Sequence, residues 1–384
     1  MSHIQLCAPC GFALEAILSR EIKELGFEVN KVEDGRVYFL SDESGIAKAN
    51  IWLRTGERVL VKMGEFNATS FEELFEQTKS LPWHEWIPKE GSFPAAKASS
   101  VRSKLFSTSD IQAIVKKAVV ESLKRKYDVN WFSESGASYP IHIFVFKDRV
   151  TLYLDSTGPA LHKRGYREIG SAAPIRETLA AALVSLTPWK EGRLLADPFC
   201  GSGTIAIEAA LKGLNIAPGL KRSFISEKWS RIPQKLWSRA RLEAEAHIRA
   251  SEDIYIQGYD IDEKVIKIAR DNAKKAGVDK YIHFQQRDVR DFSSKDKYGF
   301  IVTNPPYGER LDDIKTVERL YTDMGKVFSS LDSWSFYILT AYEGFERYFG
   351  RKADKKRKLY NGMMKTDFYQ YFGPKPPKIG NGNH

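Results

Sequence analysis

The chain has 384 residues, is 42% hydrophobic and carries a formal net charge of +10. It is long enough for two or three cores, and its charge favours a polyanionic partner, although a diffuse solvated surface gives the same excess. Three cysteines exclude a disulfide framework, and no apolar stretch reaches membrane-spanning length, so a soluble cytoplasmic protein is expected.

The first elements read as a small α+β unit. His3 to Ala8 predicts a strand, Ala13 to Leu25 an amphipathic helix closed by Gly26, Arg36 to Leu40 a strand after the Asp34-Gly35 turn, Ala47 to Leu53 a helical piece and Arg58 to Met63 a strand. Cys7 and Cys10 form a C-x-x-C, but no second Cys/His pair stands at ligand spacing. The pair reads as a strand-end loop, and no metal site is expected.

Next come a helix over Phe71 to Leu81 begun by Ser70, a strand over Ser92 to Ser99, a long helix over Ser109 to Tyr127 and a hairpin, Ile141 to Phe146 with Arg149 to Leu154. Lys97, Arg102, Lys104, Lys116, Lys117, Lys124, Arg125 and Lys126 make this the first concentrated basic region. Singly each reads as a solvated residue; together they suggest a phosphate-tracking face. His162-Lys163-Arg164-Gly165-Tyr166-Arg167 then forms a basic connection, followed by Ala173-Pro174-Ile175-Arg176 and an alanine-rich helix through Leu186.

Leu194 to Ala210, LLADPFCGSGTIAIEAA, reads as a buried strand, a glycine turn and a helix in immediate succession. Ligands of open α/β sheets bind at this end of the strands. Gly201 to Ala206 also fits the dinucleotide fingerprint G-x-G-x-x-A, so the turn alone does not name the ligand. Gly213 to Ala250 interrupts the following connection with eight basic and three acidic residues around Trp229 and Trp237. The tryptophans suit stacking on exposed bases, or anchoring an inserted helix to the core.

The second strand, Ile254 to Tyr259, ends at Asp260-Ile261-Asp262 ahead of a helix over Glu263 to Ala276. Asp260 suits the two hydroxyls of a ribose and Asp262 an N-cap. The third, Ile282 to Gln286, leads to Asp288, a possible acceptor for an adenine amino group. The fourth, Gly299 to Thr303, runs into Asn304-Pro305-Pro306-Tyr307-Gly308. Two prolines stiffen this loop and leave the carbonyls of Asn304 and Pro305 free to face a cleft, where Asn304 adds a side-chain oxygen and Tyr307 a flat ring. That combination suits a base whose exocyclic amine donates two hydrogen bonds while the ring stacks. A helix over Asp323 to Leu331, a strand over Ser335 to Thr340 and a closing antiparallel pair, Lys358 to Tyr360 with Phe368 to Phe372, complete the unit; Arg351 to Lys358 reads as a loop with six basic residues, either solvated or against an RNA backbone.

DPFCGSGT, GYDID, RDV and NPPYGERL, in this order, resemble the class I S-adenosylmethionine-dependent methyltransferases that modify exocyclic amines. The basic region before them and the HKRGYR connection resemble the THUMP-domain branch, and in detail the large-subunit ribosomal RNA guanine-N2 methyltransferases. The resemblance implies an N-terminal ferredoxin-like domain (1–65), a THUMP RNA-binding domain (66–160) and a class I, Rossmann-like methyltransferase domain (161–384) with a mostly parallel seven-stranded sheet. It implies S-adenosylmethionine as cofactor, with Asp197, Phe199, Gly201, Ser202, Gly203 and Thr204 at its methionine end, Asp260 and Ile261 at the ribose, Asp288 and Val289 at the adenine, and Thr178 and Asn304 also in reach. Asn304, Pro305 and Tyr307 would carry catalysis, and Lys97, Arg102, Lys104, Lys163, Arg164 and Arg167 would contact RNA. The expected substrate is 23S ribosomal RNA or its assembly precursor, with no membrane and no obligate protein partner. Some members carry a second methyltransferase domain, which this sequence does not show, so one of their two modifications is expected of it. A transfer RNA guanine-N2 methyltransferase, a DNA adenine-N6 methyltransferase and a non-catalytic RNA-binding assembly factor are the alternatives.

Overall fold

A computed structural model describes residues 4–167, 175–251, 253–308 and 311–377. His3, Ala173-Pro174 and the Glu309-Arg310 pair of the NPPYGERL motif lie outside them. By its contacts the chain divides into two compact units: residues 1–10, 18–161 and 219–246, and residues 11–17, 162–218 and 247–384.

The first unit is built on one seven-stranded sheet. Its elements in chain order are β1 (Ile4–Pro9), α1 (Glu15–Glu24), β2 (Glu28–Glu33), β3 (Arg36–Ser41), α2 (Glu43–Trp52), β4 (Leu60–Asn67), α3 (Phe71–Ser80), β5 (Ala95–Val101), α4 (Thr108–Tyr127), β6 (Ile141–Phe146) and β7 (Arg149–Asp155). The strand order is β2-β3-β1-β4-β7-β6-β5, so β4 joins the ferredoxin-like strands to the THUMP strands in a single sheet. Among the described strands of this unit only β5 and β6 pair in parallel. Serine side chains cap α3 and α4: Ser70 accepts from the Glu73 N–H and Ser107, rather than Ser109, from that of Asp110.

The second unit holds α5 (Glu177–Ser185), β8 (Leu195–Asp197) and α6 (Thr204–Gly213). The intervening segment, with α7 (Gln234–Ala246), packs in the first unit, where α7 lies on α2. The second unit resumes with β9 (Ile256–Asp260), α8 (Glu263–Ala276), β10 (Ile282–Gln286), β11 (Phe300–Thr303), α9 (Leu311–Ser329), β12 (Ser335–Thr340), α10 (Phe345–Phe349), β13 (Lys355–Asn361) and β14 (Met364–Tyr371). The sheet order is β10-β9-β8-β11-β12-β14-β13; the first five are parallel, and β14 runs antiparallel to both its neighbours, β12 and β13. This is the mostly parallel seven-stranded sheet that the resemblance implies. β8 pairs with β9 on one side and β11 on the other, which makes its carboxyl end the switch point where the chain's order reverses and a crevice opens.

Two segments of the second unit depart from the sequence reading. α9 starts at Leu311 instead of near Asp323, since Val317, Tyr321, Met324 and Phe328 form one apolar stripe against the sheet. Lys355, Lys356 and Arg357, read as part of a basic loop, instead extend the strand read over Lys358 to Tyr360, so that β13 pairs along its length with β14.

Candidate active site

The site starts at the end of β8. Asp197 is 1% exposed and accepts hydrogen bonds from the Thr303 hydroxyl (2.6 Å) and the Phe199 N–H (3.2 Å), tying β8 to β11. Burial, assisted by the nearby Asp260 charge, pushes its carboxyl up to about 7 against these two bonds. The turn that follows needs glycine for two different reasons. Gly201 has φ +49° with open space where a Cβ would stand, whereas a Cβ on Gly203 (φ +81°) would meet the Phe284 ring at 2.8 Å and the Ala269 methyl at 3.1 Å. Gly201 therefore leaves backbone open to a ligand, and Gly203 lets α6 pack closely.

The end of β9 closes on this turn. Asp260 accepts from the Gly201 N–H (3.0 Å) through one oxygen and from the Asp262 N–H (3.1 Å) through the other, while Asp262 caps α8 by accepting from the Lys264 N–H (2.8 Å). Beyond β10, Asp288 accepts from the backbone N–H and the guanidinium of Arg290, which hold its carboxyl below the usual range. A carboxylate offers about four lone-pair sites, so Arg290 leaves acceptor capacity at Asp288.

At the end of β11 the proline pair behaves asymmetrically. The Pro306 carbonyl accepts from the Tyr321 hydroxyl (2.7 Å), itself in contact with the Thr340 hydroxyl (2.9 Å), so the loop is anchored to the core on that side. The Tyr307 hydroxyl donates to the Asn304 side-chain oxygen.

These strand ends share one cleft of about 940 Å³, lined by Phe199, Asp260, Ile261, Asp288, Val289, Asn304, Pro305 and Tyr307. Thr178, Asp197, Ser202 and Thr204 are instead buried, at 2, 1, 7 and 2% exposure, and are not among its lining residues. Sequence reasoning missed Arg176, Arg290, Arg319, Asp323 and Met364, which also line the cleft. The amphipathic run through Arg319 and Asp323 was the signal for two of them.

The expected RNA contacts separate by exposure. Lys97, Arg102, Lys104 and Lys163 are exposed. Arg164 is not: its guanidinium lies 3.4 Å from the Glu208 carboxylate, which also accepts from the Tyr166 hydroxyl (3.0 Å), and its side chain is 2% exposed. Arg167 donates to the Thr204 hydroxyl (2.8 Å) and the Ile175 carbonyl (3.0 Å) and faces Glu177 at 3.5 Å. Arg164 thus braces α6, which corrects its placement on an RNA surface, while the half-buried Arg167 bridges α5 and α6. Lys116 is tied to Glu134. Trp229 and Trp237, 1 and 0% exposed, anchor the inserted segment: Trp229 stacks on Tyr139 and donates to the Ser138 carbonyl (2.8 Å), and Trp237 stacks on Phe224. Neither can stack on a base. Cys7 lies buried in β1, and among the described residues no cluster of ligating side chains is present.

A family model described as the RMKL-like methyltransferase domain matches residues 164–370, more than half of the chain. This chain belongs to that family. The RlmL ferredoxin-like domain matches residues 5–60 and the THUMP domain residues 68–155. YpsC of Bacillus subtilis (strain 168), whose name marks it as a candidate RNA methyltransferase, is 49% identical over 98% of both chains. A ribosomal RNA large subunit methyltransferase K/L of Psychromonas ingrahamii is 32% identical over 97% of this chain and 50% of its own, so the chain spans about half the length of that relative. A crystal structure of SMU.472, described as a candidate methyltransferase complexed with SAH, is 41% identical, covers 98% of this chain and 100% of its own, and superposes with a TM-score of 0.92.

The cofactor of this RMKL-like methyltransferase is S-adenosylmethionine, and the residues present suit it. Gly201 offers backbone with no side chain in front of it, Asp260 retains lone pairs for a ribose diol, and Ile261 and Val289 make an apolar wall beside Asp288 for an adenine. Among the described residues no helix is long and apolar enough to cross a membrane.

Proposed function

We propose that the protein transfers a methyl group to the exocyclic N2 amine of a guanine in ribosomal RNA of the large subunit, acting in the cytoplasm on 23S RNA or its precursor. The observation that carries this reading is the Asn304-Pro305-Pro306-Tyr307 loop, which faces the same cleft as Asp260 and Asp288 in a chain with a THUMP domain. The K/L relative, named for ribosomal RNA, supports the substrate class. In this reading the ferredoxin-like piece covers residues 1–65, the THUMP domain 66–160 and the methyltransferase domain 161–384.

S-adenosylmethionine would be held by Phe199, Gly201, Asp260, Ile261, Asp288 and Val289 and would supply an electrophilic methyl group. The chain's own residues do the rest. A guanine amino lone pair is delocalised into the ring and is a poor nucleophile. The Asn304 side-chain oxygen and the Pro305 carbonyl accept the two amino hydrogens, drawing the nitrogen toward a tetrahedral shape with its lone pair aimed at the methyl donor. The Tyr307 ring holds the base by stacking. The methyl group would exchange its bond to the sulfonium sulfur, which leaves as a neutral thioether, for one to the amino nitrogen, and one amino hydrogen would leave as a proton to water. No His or Cys lines the cleft among the described residues, so acceleration comes from positioning and electrostatic complementarity. Exposed Lys97, Arg102, Lys104 and Lys163 supply salt-sensitive phosphate contacts.

The test is labelled methyl transfer to an unmodified 23S RNA transcript, a transfer RNA transcript and duplex DNA, followed by nucleoside analysis. N2-methylguanosine in the 23S transcript is expected. N6-methyladenine in DNA, N2-methylguanosine only in transfer RNA, or no transfer at all would each replace the proposal with one of the three alternatives.

A further inference from the structure

We propose that the β13–β14 hairpin separates the target base from its stack, with Met363 as the inserted wedge; this rests on the RNA reading above. β13 and β14 pair in register from Lys355–Gln370 to Asn361–Met364, which leaves Gly362-Met363 as a two-residue turn. Gly362 has φ +64°, the left-handed backbone such turns require. The turn presents Met363 at 98% exposure with Met364 at 40% beside it. Asn361, Gly362 and Met364 line the cleft that holds Asn304, Pro305 and Tyr307, so the turn sits on the rim of the space a target base must enter.

A lone exposed methionine is ordinary. This one differs in its support and its surroundings. β14 is locked to β12 from Phe336–Tyr371 to Thr340–Asp367, with Phe368, Tyr369 and Tyr371 fully buried, so the tip projects from a rigid base. The shaft below it exposes Lys355, Lys356, Lys358 and Lys365, of which Lys356 lies 3.6 Å from Asp367. Cations along the shaft complement the phosphates of a nucleic-acid strand, and an apolar tip suits insertion between base steps. A base in a duplex cannot reach an active-site cleft without leaving its stack, and something must fill the gap it leaves. A methionine, unbranched and polarizable, fills irregular gaps well. The occupant of the tip is therefore an RNA base step beside the target guanine, and Met363 is a positioning residue that touches no reacting atom.

The experiment uses the full chain. The nucleotide modified by the wild type in a 23S transcript is mapped first, and two RNAs of that sequence are made, one placing it in a base-paired stem and one in an unpaired strand. Met363→Ala is expected to slow single-turnover transfer on the stem by about tenfold or more, as loss of unstacking support would. It should leave the unpaired strand and calorimetric S-adenosylmethionine affinity unchanged, and Met363→Leu should restore the stem rate. The wedge is overturned if Met363→Ala slows both RNAs equally or neither, or if the wild type modifies only the unpaired strand. A wild type inactive on every RNA would remove the RNA reading and the wedge with it, whereas an active wild type matched by Met363→Ala would remove the wedge alone.

Discussion

The Tyr307 hydroxyl donates its hydrogen bond to the side-chain oxygen of Asn304. An amide oxygen has two lone pairs, so this bond fixes the carboxamide while leaving one lone pair for an incoming amine. The tyrosine thus has two separable roles, an orienting hydroxyl and a stacking ring.

Substitutions at the two positions should rank accordingly. A neutral hydrogen bond is worth about 0.5–1.5 kcal/mol, so Tyr307→Phe should lower the single-turnover rate by at most about tenfold. Stacking is worth about 1–3 kcal/mol per base, so Tyr307→Ala should lose one to two powers of ten. Asn304→Ala should lose more than Tyr307→Phe, with cofactor affinity unchanged. A near-normal rate in Asn304→Ala would refute its role as acceptor.

The two glycines of the turn should fail in different ways. Gly201→Val places a side chain in open space at the ligand's approach, at a cost of about 1–2 kcal/mol for the left-handed backbone. Calorimetric S-adenosylmethionine binding should disappear while the melting temperature falls only modestly. Gly203→Ala drives a methyl into Phe284 and Ala269, and overpacking of this kind costs about 1–3 kcal/mol, so its main effect should be on the melting temperature. Retained affinity in Gly201→Val would show that the ligand does not approach there.

The glycine turn and the double-proline loop were legible because each is a strand followed at once by residues that only special backbone geometry explains. Other parts were hidden for physical reasons. β2, sequence EVNKVE, carries too few apolar residues to read as a strand and forms as an edge strand by pairing with β3. The basic string around Arg164 reads as surface, because its partner Glu208 lies on α6, 44 residues further along. Trp229 and Trp237 sit among charges in sequence, yet both rings are buried and Arg241 folds with them, donating to the Leu220 and Arg222 carbonyls and pairing with Glu227, while Lys221, Lys228, Lys235 and Arg239 stay exposed.

Arg164 and Lys163 offer a direct test of that distinction. Breaking a buried ion pair from one side costs about 3–5 kcal/mol, so Arg164→Ala should lower the denaturation midpoint strongly. Where the variant is folded, its RNA affinity should keep the wild-type salt dependence. Lys163→Ala should do the reverse, leaving stability near wild type and reducing the slope of log affinity against log salt by about one. A reduced slope in Arg164→Ala would return that residue to the RNA surface.

Asp197 should make stability depend on pH in an unusual direction. Unfolded, its carboxyl titrates near 3.9; folded, burial raises it to about 7. Between these values the native state holds a proton that the unfolded state has released, so this group's contribution is complete below about pH 4 and is lost as pH rises through about 7. Asparagine keeps an oxygen for the Thr303 hydroxyl and the Phe199 N–H but does not ionise. Glu21, Glu177 and Asp155, whose carboxyls are also raised by burial, titrate in both proteins and cancel in the comparison. The denaturation midpoint of the wild type should therefore fall relative to Asp197→Asn as pH goes from about 4.5 to 7.5. A constant difference across that range would mean that Asp197 is already ionised in the folded protein, and a rising one that its charge is stabilised there.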